Sequence, residues 1–158
     1  DVDALLERPR NLPARAARVH TRAVEPGFED STRFCGGLPI RDVVPYGEVA
    51  THDRGLAVVD APSRFEEAAT GLAAAGAQVV IHVTGEGVPA GHPVVPVVKL
   101  CAGEETLAAL PDDVDVDATT ATAADLTERV LAVANGERTC AERHGITEFA
   151  ITRVGPSM

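Results

Sequence analysis

The chain has 158 residues, 45% of them hydrophobic, which is enough to bury a core and argues against intrinsic disorder. Aromatic residues make up only 3%, with no Trp, so modules that stack bases on rings are disfavoured. The formal charge of −10 repels nucleic acid and anionic membranes alike. No apolar run reaches the length of a membrane span, and no signal-peptide pattern opens the sequence. Three widely spaced cysteines, Cys35, Cys101 and Cys140, do not form a disulfide framework and fit a reducing cytoplasm.

Residues 1–35 read as an arm or linker. Arg8, Arg10, Arg15, Arg18 and Arg22 crowd it while Pro9, Pro13 and Pro26 punctuate it, so it either lies on the chain's own acidic body or docks an acidic partner. Residues 36–158 form the main body. A short apolar run at 56–59 ends in Asp60 and is broken by Ala61-Pro62. Ser63 with Glu66 has the spacing of a capping box, and Phe65, Ala69, Leu72 and Ala73 continue at helical spacing until Gly76. Residues 79–83 and 94–100 are Val-rich and strand-like, and a short helix from Glu104 must stop before Pro111. A longer helix at 123–134 places Leu126, Val130 and Val133 on one stripe and ends at Asn135-Gly136; residues 148–154 read as a final strand. The fold class is therefore α/β, a Rossmann-like, mostly parallel sheet with helices on both faces.

Ligands of open α/β sheets bind beyond the carboxyl ends of strands, which selects Asp60 and the segment from His82 to Pro93. Gly85, Gly87 and Gly91 expose backbone amides there. The segment is no dinucleotide loop, because Pro89 and Pro93 prevent a helix from opening and Glu86 repels a pyrophosphate; no nucleotide cofactor is expected. His82, His92, Asp60, Asp115 and Asp117 are metal-donor types, and Cys140 with His144 has a ligand spacing, but no pair is joined by a second, so a structural zinc is disfavoured. The run Asp112, Asp113, Asp115, Asp117 reads as a solvated strand edge, with a hard-cation site as its alternative. Lys99 is the only lysine among fourteen Lys and Arg residues. Within Val97-Val98-Lys99-Leu100 it either reaches solvent from a strand end or is buried, where it could act as a base or a carboxylate partner.

Taken together, several short motifs resemble the altronate/galactarate dehydratase (UxaA) family, over the part that forms its C-terminal domain. They are Gly55-Leu56-Ala57-Val58-Val59-Asp60-Ala61-Pro62, the stretch from Ala69 to Gln78, Thr84-Gly85-Glu86-Gly87, Pro96-Val97-Val98-Lys99, Asp115-Val116-Asp117-Ala118, Ala134-Asn135-Gly136-Glu137 and Glu148-Phe149-Ala150-Ile151. The resemblance covers roughly residues 36–154.

It implies a hydro-lyase that removes water from a sugar acid such as altronate or galactarate to give a 2-keto-3-deoxy acid, with iron(II) as cofactor. It also implies that this chain works with N-terminal domains or a partner subunit of the same enzyme, or as a homo-oligomer. The residues carried over are Lys99 and Glu86 as catalytic groups, and Thr84, Gly85, Gly87, His92 and Asp60 as substrate-binding groups. Family members usually have Thr-Gly-Arg-Gly where this chain has Thr84-Gly85-Glu86-Gly87, which replaces a carboxylate-binding fork by a carboxylate. Two alternatives accompany the resemblance: a non-catalytic domain or partner subunit used for ligand binding or assembly, and a related sulfolactate-type lyase.

Overall fold

The computed structural model describes residues 39–52, 54–62 and 64–151. The expected arm at 1–35 lies outside them. The described residues form two compact units, one comprising those up to Gly76 together with Ala150 and Ile151, the other Ala77–Phe149.

In the first unit, β1 (Ile40–Val44) and β2 (Leu56–Val59) pair in parallel, with an irregularity between Ile40 and Asp42. Helix α1 (Phe65–Ala74) follows. Its cap position is Arg64, whose side chain makes no capping bond; the expected partner of Glu66, Ser63, lies outside the described residues. A glycine inside a helix costs about 1 kcal/mol relative to alanine. Gly71 is nevertheless required there, because an added Cβ would stand 2.8 Å from the ring of Tyr46. The Tyr46 hydroxyl donates to the Glu67 carbonyl at 3.1 Å, so the ring is fixed against that helix at both ends.

The second unit holds a parallel sheet in the order β3 (Val80–Thr84), β4 (Val97–Cys101), β5 (Val116–Asp117). Helix α2 (Glu104–Ala109) and a 3-10 turn (Pro111–Asp113) connect β4 to β5. Helix α3 (Ala123–Ala134) and helix α4 (Cys140–His144) follow, each opened by a full capping box, Thr122 with Asp125 and Thr139 with Glu142. Parallel pairing and interleaved helices bear out the α/β class.

Side chains alternate across a strand. One face presents Val98, Leu100 and Val116, which pack with Val79, Ala121, Leu126, Val130 and Val133 under α3. The opposite face carries Val80, His82 and Thr84 beside Val97, Lys99 and Cys101, since the register pairs His82 with Lys99 and Thr84 with Cys101.

Two expected strands are corrected. The one at 94–100 starts only at Val97, because the amides of Val94 and Val95 donate to His92 Nδ1 and Pro96 has no amide to give. The final strand at 148–154 is absent from its described residues. Gly145, at φ +70°, caps α4 and turns the chain, which then makes a single parallel bridge between Thr147 and Gly91. Pro89 and Pro93 flank that bridge and offer no donors to extend it.

Val98 is fully buried in this core, while Leu131 on α3 is 56% exposed. Val98→Ala should lower the unfolding free energy by about 2 kcal/mol, and Leu131→Ala by less than about 0.5 kcal/mol, in chemical denaturation.

Candidate functional site

Lys99 settles its own alternatives by position: it is 1% exposed, the largest fully buried side chain among the described residues. A buried ammonium needs compensating acceptors and charges. Its Nζ donates to the Pro89 carbonyl, in the segment that links β3 to β4. The amine is held below its ordinary proton affinity by burial, against which the charges of Asp115 and then Asp113 act in the other direction. His82, its register partner on β3, is also held below the usual histidine range, first by burial and then by the charge on Lys99.

The glycine-bearing turn begins where β3 ends. Thr84 Oγ1 accepts the amides of Glu86 at 3.3 Å and Gly87 at 3.1 Å, so the hydroxyl organises the turn from within. Helix α2 braces it from outside: Thr106 Oγ1 donates to the Gly85 carbonyl at 2.9 Å. Gly103, just before α2, approaches so closely that a Cβ there would lie 2.2 Å from the same carbonyl. Glu86 is exposed. His92 is buried, with Nδ1 accepting from Val94 and Val95, so its imidazole shapes the loop; burial lowers its proton affinity. The second unit thus contains Thr84, Gly85, Glu86, Gly87, His92 and Lys99 on one connected stretch from β3 through the loop to β4. Asp60 belongs to the first unit, where its amide donates to Val44 at 2.9 Å.

The sequence reading missed the group on which Lys99 depends. The Asp115 carboxylate is completely buried and accepts three donors: the Lys99 amide at 3.0 Å, Arg129 Nη2 at 2.9 Å and the Cys140 amide at 2.9 Å. Its own amide returns a bond to the Lys99 carbonyl at 3.0 Å. Arg129 also contacts Glu137 and donates to the Arg138 carbonyl. The acidic run is therefore no uniform solvated edge. Asp112 is exposed, Asp113 meets His144 at 3.1 Å, Asp115 is internal, and Asp117 accepts from Thr119. Cys140 starts α4, with Sγ donating to Val114 at 3.3 Å and Arg143 Nη2 at 2.9 Å from the sulfur. Burial first, then Asp115, pushes its thiol up, which keeps it protonated and unreactive.

Among the described residues, no group of three or more His, Cys, Asp or Glu side chains is arranged to hold a metal ion. Cys140 and His144 in particular are engaged with Val114 and Asp113. The described residues do not fit a self-contained iron(II) centre. No helix among them is long and apolar enough to cross a membrane.

Because burial lowers the Lys99 proton affinity from 10.5, the unfolded chain binds more protons than the folded one between the lowered value and 10.5. Stability contributed through this group must then rise with pH across that interval. The difference in unfolding free energy between the parent chain and Lys99→Met should become more favourable to the parent as pH increases there. A difference independent of pH in urea titrations would contradict the burial argument.

Comparison with known proteins identifies the family to which the chain is similar. The family model D-galactarate/Altronate dehydratase, C-terminal, matches residues 31–157. The chain is 33% identical over 136 residues to an altronate dehydratase of Bacillus subtilis (strain 168), covering 80% of this chain and 27% of that protein. It is 31% identical over 135 residues to an altronate dehydratase of Escherichia coli (strain K12), again covering 80% and 27%. It is 35% identical over 109 residues to a (2R)-sulfolactate sulfo-lyase subunit beta of Chromohalobacter salexigens, covering 63% of this chain and 28% of that protein. The chain therefore spans little more than a quarter of the length of these relatives. By the extent of the family match and the order of its motifs, it belongs to the D-galactarate/altronate dehydratase C-terminal family.

Proposed function

We propose that this chain is the C-terminal part of a carbon–oxygen lyase that dehydrates a sugar acid such as altronate or galactarate, and that Lys99 with the Thr84–Gly87 turn forms its share of the site. The observation that carries the reading is the single lysine buried at the carbonyl of Pro89, two residues beyond that turn.

The reaction breaks the C–H bond next to the carboxylate, forms a C2–C3 double bond from that electron pair, and expels the β-hydroxyl as water. The resulting enol becomes a 2-keto-3-deoxy acid. Its costliest moment is the enediolate, whose second negative charge needs a preorganised cation or donor. Lys99 suits that demand: its amine is already desolvated and would exchange the Pro89 carbonyl for a carboxylate oxygen. Gly85 has open space where a Cβ would stand, so a substrate can approach the backbone there, while at Gly87 that space is filled by Thr106 and the glycine serves the turn; Thr84 presents a hydroxyl at the same place. Glu86, exposed on the turn, is the group assigned to take or return the proton, with His92 holding the loop's shape.

The share of each relative that is covered supports work with further domains or a partner subunit, and one relative's name as a subunit beta supports the latter. Buried free thiols at Cys101 and Cys140 support a cytoplasmic setting. A second reading, a non-catalytic domain, is favoured by one observation: the amides of Glu86 and Gly87 are already taken by Thr84.

The test is turnover by the full-length protein, loaded with iron(II), on a panel of aldonates, aldarates and sulfolactate. Dehydration of at least one sugar acid is expected, with Lys99→Met lowering kcat/KM by about a hundredfold or more while the fold is retained. Elimination only from sulfolactate would move the reading to the sulfo-lyase class. Turnover unaffected by Lys99→Met would favour the non-catalytic reading.

A further inference from the structure

The chemistry assigned to Lys99 rests on an amine held in one place inside a sheet, yet the side chain that carries it has four rotatable bonds. What restrains the strand beneath it is not the regular ladder alone. On the β5 side, the Lys99 amide donates to the Asp115 side chain at 3.0 Å, while the Asp115 amide donates to the Lys99 carbonyl at 3.0 Å. This reciprocal pair locks the backbone of Lys99 to one residue. The same carboxylate, with no exposed surface, also accepts Arg129 from α3 and the first amide of α4. It is therefore the point at which the lysine's strand, the helix beneath the sheet and the next helix meet.

We propose that Asp115 is a positioning residue for the reaction: it fixes the backbone of Lys99 and holds a buried carboxylate beside that strand, so that the amine stays in place for a substrate carboxylate. The proposal rests on the assignment of Lys99 made above. The other titratable groups whose charge states act on the amine, or are acted on by it, are His82 on β3, Asp113 on the 3-10 turn and Cys140 on α4. Of these, Asp115 is the one that also bonds the lysine's own backbone. It neither needs to touch substrate nor is placed to do so, since its oxygens are taken by three protein donors.

Lys99 is the only lysine of the chain, so its titration can be read without assignment ambiguity. Isotope-labelled lysine introduced into the 158-residue chain gives one side-chain signal, whose shift is followed against pH by NMR. In Asp115→Asn the lysine signal should titrate at lower pH than in the parent, and in Asp117→Asn, on the same short strand, it should not move. An unchanged midpoint in a folded Asp115→Asn chain overturns the proposal.

If Asp115→Asn fails to fold, Arg129→Gln reads the same coupling from the other side. With its guanidinium partner gone, Asp115 acts more strongly on Lys99, whose midpoint should rise; a fixed or lowered midpoint overturns the proposal. In the full-length enzyme, Asp115→Asn should reduce kcat by about tenfold or more with KM within about twofold, and shift the alkaline limb of the pH profile. The NMR readout needs no turnover, so a failed lyase assignment and a failed role for Asp115 remain distinguishable.

Discussion

A carboxylate taken completely out of water organises the second unit. An ion buried without partners costs several kcal/mol, so the folded chain must bring donors to Asp115. It does so from three directions: a strand amide, a guanidinium and a helix N-terminal amide. Satisfying this one group joins β4, α3 and α4, and it places Lys99 where burial and nearby carboxylates act on its amine in opposite senses. The valine core under α3 supplies the apolar burial, and the polar junction fixes register and position.

The site assembled around that junction is economical. The sheet pairs His82 with Lys99, the next pair on that face is Thr84 with Cys101, and the chain then enters the glycine turn braced by Thr106. Its chemistry-bearing groups thus lie in a single run from β3 to β4. The chain spans little more than a quarter of the length of the relatives it matches.

Much of this was legible in the sequence, and the misses have physical causes. The α3 stripe and its Asn-Gly stop give the helix its bounds at Ala123–Ala134, because periodicity and end signals agree there. The α/β layout followed from continuous Val-rich runs. Helix α4 went unread although Thr139-x-x-Glu142 and Gly145 carry its start and stop, since five residues are too few to show a stripe. Strand β5 has two residues, below any periodicity. Asp115 looked like its acidic neighbours because the difference between an internal and a solvated carboxylate is made by residues 14 and 25 positions away, Arg129 and Cys140. The final strand was over-read for the opposite reason: its residues favour a strand, but the prolines around Gly91 leave it no ladder to join.

The central claim is that the amine of Lys99 is enclosed beside the glycine turn, and chemical labelling tests it most directly. A small amine-reactive reagent, read by peptide mass mapping, should modify Lys99 far more slowly in the native chain than in the denatured one. Labelling of Lys99 in the native chain as fast as in the denatured one would place the amine in solvent and contradict the account.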